Sequence, residues 1–423
     1  LDVRSIPKDF LTGFKESRLV RNVSWSLIGN IVYACSQWGV LIVISKLGST
    51  AMLGEFAIGL AISAPVFMFL NFQLRAILAS DANDQFRVNQ YVGLRIFSNV
   101  LAIIFLFVIV SMLSYSLEQK LIILLITVSK AIESFSDITY GILQKSEKMK
   151  QIAISLMLRG MSMIMIVLLT LYVTESLMLA MIGQCMAWLG VFIFYDRKNA
   201  KKIDKLQPVI DKSQLWQLLK TGLPMGITAL LLSLNTNIPR YFIEHFQGAY
   251  GLGIYIAIES IIAVPQTLSD ALAQSTLPQM SKSYAKKDMF AFRSLLRKLM
   301  IIGVVMGIVQ ILVAAVAGSF ILRLMYNPDY AHYSILFIGF MILSAMLNFQ
   351  TFLNMSINSV RIFQLQLPIN LAKLLIIVIL SVLLINDFGI TGALIALIMS
   401  AVFSVVAFTI ILLQRIRQVP KEG

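Results

Sequence analysis

The feature that most constrains this chain is a series of long apolar runs separated by short polar segments. They fall at about 24–45, 53–77, 95–115, 120–143, 152–172, 176–195, 222–245, 252–276, 299–319, 334–356, 365–386 and 389–413. Roughly 20 mostly apolar residues cross a hydrocarbon core as an α-helix. Lipid offers the backbone no hydrogen bonds, so a spanning segment is a helix or part of a closed barrel. These runs are far longer than the ~10-residue alternating strands of a barrel. Only 13% of the 423 residues are charged and 58% are hydrophobic, against roughly 25% charged in soluble domains. The pattern predicts an all-α polytopic membrane protein with twelve transmembrane helices.

Orientation follows from the basic residues. With a cytoplasmic N-terminus, all but six of the 35 Lys and Arg fall in inner segments or at span ends. Lys46, Lys120 and Arg323 lie outside, and Lys130, Arg240 and Lys373 lie within spans. The net charge of +14 is therefore a positive-inside bias and not a nucleic-acid footprint. Both termini are expected to be cytoplasmic, in a multi-pass protein of the cell membrane. The polar, basic stretch 1–21 reads as no cleavable signal peptide.

The longest inner connection, 196–221, divides the chain into two six-helix lobes, 1–210 and 211–423. Its first ten residues read as a solvated linker, and 213–220 as a short amphipathic helix at the interface. The halves echo one another. Leu53, Gly54 and Phe56 precede Pro65, as Leu252, Gly253 and Tyr255 precede Pro265, at an offset of 199 or 200. Because both halves start inside, this repeat would be parallel.

Ionised side chains within spans cost ~2.5–3.5 kcal/mol each on insertion scales, so they face a cavity or a partner. Lys130, Glu133, Asp137 and Tyr140 share one helical face, which suits either an internal ion pair or a substrate or proton site. Arg240 and Glu259 lie at similar depth on either side of a Gly-rich turn and are able to pair. Asn235, Asn237 and Pro239 before Arg240 predict a locally irregular helix. Lys373 stands alone in the middle of its run, which favours a cavity-facing role. Asn30, Gln37, Asn348, Gln350 and Asn354 read singly as interhelical hydrogen-bonding groups. Gly222 with Gly226, and Gly303 with Gly307, permit close helix approach. Cys35 and Cys185 read as packing residues. No phosphate-binding loop, dinucleotide fingerprint, metal-ligand cluster or cofactor motif is present, so no ATP hydrolysis and no enzyme chemistry is expected.

Three stretches resemble a known family. The run 72–81 with Phe72, Arg75 and Asp81, the run 234–241 with Asn235, Asn237, Pro239 and Arg240, and Leu252, Gly253 and Tyr255 leading to Leu277 and Pro278 are similar to the oligosaccharide flippases (Wzx-type, polysaccharide biosynthesis proteins) of the MOP exporter superfamily. The resemblance implies two lobes around a central cavity, alternating access, and a polyprenyl-pyrophosphate-linked oligosaccharide as cargo. It implies H+ or Na+ coupling and polysaccharide-assembly proteins as partners. Under it, Arg240, Lys130, Lys373, Asn237, Asn30 and Gln37 are substrate-binding candidates, the cations suiting pyrophosphate. Glu133, Asp137, Glu259 and Asp270 are candidates for ion coupling or internal pairing. A multidrug antiporter of the same superfamily would need unpaired carboxylates. A membrane-embedded glycan polymerase or glycosyltransferase would need a sizeable catalytic loop, and none is seen.

The topology is testable. In a variant lacking Cys35 and Cys185, single cysteines within 247–251 and 386–388 should react with an impermeant maleimide applied outside. Cysteines within 196–221 should not, and their labelling from outside would overturn the orientation.

Overall fold

A computed structural model describes residues 8–81, 85–209, 211–360 and 365–418. Residues 1–7 and 419–423, on which the expectation of cytoplasmic termini bears, lie outside the described residues, as does Ile210 of the 196–221 connection. Among the described residues there are helices and no strands. The helices are α1 (Lys8–Leu47), α2 (Thr50–Leu70), α3 (Leu74–Ser80), α4 (Val88–Met112), α5 (Leu117–Lys145), α6 (Met149–Thr174) and α7 (Leu177–Val191). A π-helical turn, Phe192–Asp196, leads into α8 (Arg197–Lys201). Then follow α9 (Lys212–Ser260), α10 (Ala263–Ala285), α11 (Met289–Met325), a 3₁₀ turn (Pro328–Tyr333), α12 (Ser334–Ser359) and α13 (Gln366–Gln418).

Nine segments of the described residues are long and apolar enough to cross a membrane. The expected runs 222–245 and 252–276 lie in one such segment, Lys212–Ala285, and 365–386 and 389–413 lie in another, Gln366–Arg415. Each contains a single left-handed glycine that breaks the helix: Gly248 (φ 67, ψ −172) and Gly389 (φ 55, ψ −133). A Cβ is strained in that region. α5 stands outside the nine because Lys130, Glu133 and Asp137 interrupt its apolar run. The expected run 53–77 is two helices, since Phe72 (φ 48) and Gln73 (φ 50) are left-handed and end α2 before α3 begins. The expected interfacial helix 213–220 is continuous with α9.

The chain forms two compact units, Leu1–Gly48 with Ile62–Leu230, and Ser49–Ala61 with Leu231–Gly423. Their boundaries fall inside α2 and α9 as well as at the α1–α2 turn. In the first unit α1 lies close on α6: a Cβ on Gly29 would stand 2.6 Å from Ala153 Cα, and one on Gly160 2.6 Å from Ser36 Oγ. The apolar core packs Leu74 and Leu78 of α3, Tyr91 and Leu94 of α4, and Ile138 and Ile142 of α5. Gly222 and Gly226 let α9 approach Phe72 and Phe69, as their spacing predicts. In the second unit, Phe292 and Leu299 of α11 and Phe352 and Ile357 of α12 centre the core with Phe408 of α13.

The repeat read from the sequence becomes a physical contact in the second unit. A Cβ on Gly54 would fall on the carbonyl oxygen of Ala249, and a Cβ on Gly253 on that of Thr50. Thr50 and Gly54 each gain 199 to give Ala249 and Gly253, so the crossing is reciprocal. Residue i meets the partner of j, and j meets the partner of i, as at a two-fold axis. Beyond the crossing, Pro65 has no N–H for the carbonyl of Ala61 four residues earlier. That oxygen accepts from the hydroxyl of Tyr241 instead. The unit boundary between Ala61 and Ile62 coincides with this lost intrahelical bond.

Substitution at the crossing should be costly. Gly54→Leu and Gly253→Leu should each lower the melting temperature of the purified protein by several degrees, as overpacking of about 1–3 kcal/mol implies. Gly190→Leu, where nothing lies within 4 Å of an added Cβ, should leave it near the parent value.

Candidate functional site

α5 presents Lys130, Glu133 and Asp137 on one face, and the structure gives each carboxylate its own donors. Lys130 Nζ lies 2.8 Å from Glu133 Oε2, and the Tyr33 hydroxyl donates to Glu133 Oε1 at 3.0 Å. Asp137 does not join them. Its two oxygens receive Arg75 Nη1 of α3 at 3.4 Å and Arg95 Nη2 of α4 at 3.3 Å. Arg95 is wholly buried, and its Nη1 also donates to Ser134 Oγ at 2.9 Å and to Asn71 Oδ1. Ser134 donates in turn to Asn71 Oδ1 at 2.7 Å. Such pairing is what permits the burial, because an unpartnered ion there would cost several kcal/mol.

The left-handed pair Phe72 and Gln73 aims α3 back across α5, where Gly141 admits it. Arg75 thereby reaches Asp137 and also donates from Nε to Gln144 Oε1 at 3.1 Å, over the Tyr140 ring. The 72–81 stretch ends at Asp81, which accepts from the backbone N–H of Gln85 (3.0 Å) and Phe86 (3.1 Å). Partial burial opposes its ionisation, but those two donors and nearby Lys145 outweigh it and hold the Asp81 carboxyl below its usual range. A cavity of about 290 Å³ opens between α2 and α5. Its polar wall is Asn71, Lys130, Glu133, Ser134 and Asp137; Ala64, Phe67 and Met68 form the apolar side, with Gln73 at the strained turn.

Two charged residues important to this unit were counted in the sequence among the basic residues of inner segments and span ends. Arg95 is one. Arg159 of α6 is the other, buried with its guanidinium 4.3 Å from the Trp188 ring centroid. A signal for Arg95 was present: Ser98 and Asn99, three and four residues on, make a polar face in an otherwise apolar helix, and both are buried. Asp196, expected at the start of a solvated linker, is also buried. Its carboxylate accepts from Ser155, which pairs with the Tyr140 hydroxyl at 2.6 Å. Asp196 closes the π-helical turn, and exposure of the connection begins with the next residue, Arg197, one residue later than expected.

In the second unit Arg240 and Glu259 do pair. Arg240 Nε and Nη2 donate to Glu259 Oε2 at 3.2 and 2.9 Å, and Nη1 to Asn237 Oδ1 at 3.0 Å. The Tyr255 hydroxyl donates to the second oxygen of Glu259 at 3.1 Å. Asn237 completes the network by donating to Ser233 O at 2.8 Å. Arg240 lies in α9, which runs as one helix to the break at Gly248, so the irregularity expected before Arg240 is absent. Lys373 is different: Nζ donates to Gln350 Oε1 at 3.2 Å, and no carboxylate lies within ion-pair distance among the described residues. Asp270, exposed, accepts from Gln266 at 3.4 Å, while the same amide donates to Thr351 at 2.7 Å. Asn348 is fully buried with neither amide atom paired. Asn30 and Gln37 are exposed on α1, with Asn30 bonded back to Ser26 O at 2.7 Å. Among the described residues no group of His, Cys, Asp and Glu is placed to hold a metal. Cys35 is exposed and Cys185 donates to Leu125 O at 3.3 Å.

Comparison with known proteins places these networks in a family. Residues 19–284 match the family described as polysaccharide biosynthesis protein. The chain is 26% identical over 395 residues to the capsular polysaccharide biosynthesis protein CapF of Staphylococcus aureus, covering 92% of this chain and 98% of CapF. Among solved structures it is similar to an inward-facing multidrug resistance MATE family transporter of the MOP superfamily (TM-score 0.74, 12% identity, 94% of this chain and 99% of that one). It is equally similar to the lipid II flippase MurJ in an inward closed conformation (TM-score 0.74, 15% identity, 93% of this chain and 88% of that one). The protein thus has the fold shared by MATE and MurJ transporters, and it belongs to the polysaccharide biosynthesis protein family.

Proposed function

We propose that the protein carries a polyprenyl-pyrophosphate-linked oligosaccharide from the cytoplasmic to the outer leaflet of the cytoplasmic membrane, by alternating access, for cell-surface polysaccharide assembly. Family and fold point to a transporter and not to a catalyst. The observation that carries the substrate assignment is Lys373, a cation inside an apolar helix whose one hydrogen-bonding partner among the described residues is an amide. Such a charge favours an anionic ligand, and a pyrophosphate supplies one. Arg240, the other strong candidate by sequence, is engaged by Glu259 and Asn237 and serves first to hold α9 together. Lys130, Asn237, Asn30 and Gln37 are proposed as further substrate contacts.

The multidrug-antiporter reading asks for free carboxylates. Glu133, Asp137 and Glu259 each have a cationic partner, which weighs against it. Asp270 has only an amide among the described residues, and H+ or Na+ coupling is proposed there.

The test is glycan display in a flippase-null strain complemented by each variant, with protein abundance followed by blotting. Lys373→Ala should lose display at normal abundance, since one charge-assisted contact of ~1.5–3 kcal/mol is roughly ten- to a hundred-fold in binding. Arg240→Ala should instead lower abundance by stranding Glu259, and the double variant Arg240→Gln/Glu259→Gln should restore it. Full display by Lys373→Ala would remove that residue from the substrate path.

A further inference from the structure

The cavity between α2 and α5 is built differently from an ion site. Its charges are already matched: Glu133 by Lys130 and Tyr33, Asp137 by Arg75 and Arg95. Every charged group there has a partner of opposite sign, although the two arginines on Asp137 leave the set one positive charge in excess. What remains is spare hydrogen-bonding capacity. Each carboxylate oxygen has lone pairs beyond the one donor it receives, and the Lys130 ammonium has N–H groups beyond the one given to Glu133. Donors and acceptors thus alternate along the α5 wall, facing the apolar side formed by Ala64, Phe67 and Met68.

A ligand that uses this wall must offer both donors and acceptors and have an apolar face, and because each ion there already has a partner it needs no charge of its own. A sugar ring has these properties: its hydroxyls donate and accept together, and its axial C–H faces are apolar. The size agrees. At about 290 Å³ the cavity is at the lower end of the roughly 300–1,000 Å³ of small-molecule pockets, with room for one ring and not for an oligosaccharide or a polyprenyl chain. The backbone beside it is also unusual. Phe72 and Gln73 are successive non-glycine residues in the left-handed region, a conformation that persists where surrounding structure imposes it and that concentrates at binding sites.

We propose that this cavity is a subsite for one neutral glycosyl residue of the transported oligosaccharide, selecting cargo by its hydroxyl pattern. The proposal rests on the translocation reading for its biological sense but not for its test. Selection of this kind is sharp, because a ring lacking a required hydroxyl would leave buried polar groups unpaired.

The experiment is saturation-transfer NMR on the purified full chain in detergent. The probes are free glucose, galactose, N-acetylglucosamine and N-acetylgalactosamine, with glucuronate and inorganic pyrophosphate as anionic comparators. At least one neutral sugar should receive saturation, and the signal should fall several-fold in Met68→Trp and in the milder Ala64→Leu, both of which fill the cavity. Pyrophosphate, followed by ³¹P line broadening, should respond equally in parent and variants. Saturation of no neutral sugar, of glucuronate alone, or undiminished saturation in a folded filling variant would overturn the subsite. The two readings separate cleanly. If the parent chain restores display but no sugar binds, the subsite alone fails. If a sugar binds in the cavity but the parent restores no display with any glycan, the subsite stands and translocation fails.

Discussion

Two arginines from different helices converge on the carboxylate of Asp137, and much of the first unit depends on that convergence. Arg95 is wholly buried, where no water can take its charge. Removing Asp137 would leave it uncompensated, a loss far larger than the net worth of the pair itself. The requirement reaches outward. Arg75 arrives because α2 ends in two left-handed residues, and Asn71 and Ser134 accept from the second guanidinium nitrogen of Arg95, Nη1. The cavity wall is therefore a by-product of satisfying a buried charge, and its rigidity follows from the same bonds.

The second unit obeys the same rule with a different outcome. Arg240, Glu259, Asn237 and Tyr255 form a closed set in which the charges are mutually held. Lys373 is left outside any such set. The contrast separates charges held by an opposite charge from one held by an amide, a distinction that residue type alone does not make. The reciprocal glycine crossing adds a geometric constraint. Thr50 and Gly54 meet Ala249 and Gly253 so closely that side chains are excluded, and the adjacent proline releases the Ala61 carbonyl to Tyr241. α2 is thus held at its start by the glycine crossing and, two to three turns on, by Tyr241 where its own hydrogen-bond ladder is interrupted.

The sequence by itself determined the all-α membrane fold, since apolar runs of this length leave the backbone no other solution in lipid. It made the Arg240–Glu259 pair available as well, because a short turn places residues nine or ten from its midpoint at equal depth, and the structure forms it. The 199-residue echo was legible for a related reason: a tight helix crossing accepts only glycine, so the motif carries its own structural meaning. The tertiary structure decided which charges are partners. Asp137 lies near Lys130 along its own helix, yet its arginines come from 62 and 42 residues away, a choice made by the turn at Phe72 and Gln73 that no helical periodicity encodes. Arg95, Arg159 and Asp196 were read at span ends because a basic or acidic residue near a boundary is as consistent with the interface as with the core. Only packing, through Ser134, Trp188 and Ser155, showed them to be buried. Local pattern records how a helix is made, while the neighbours that neutralise its charges are set by contacts distant in the chain.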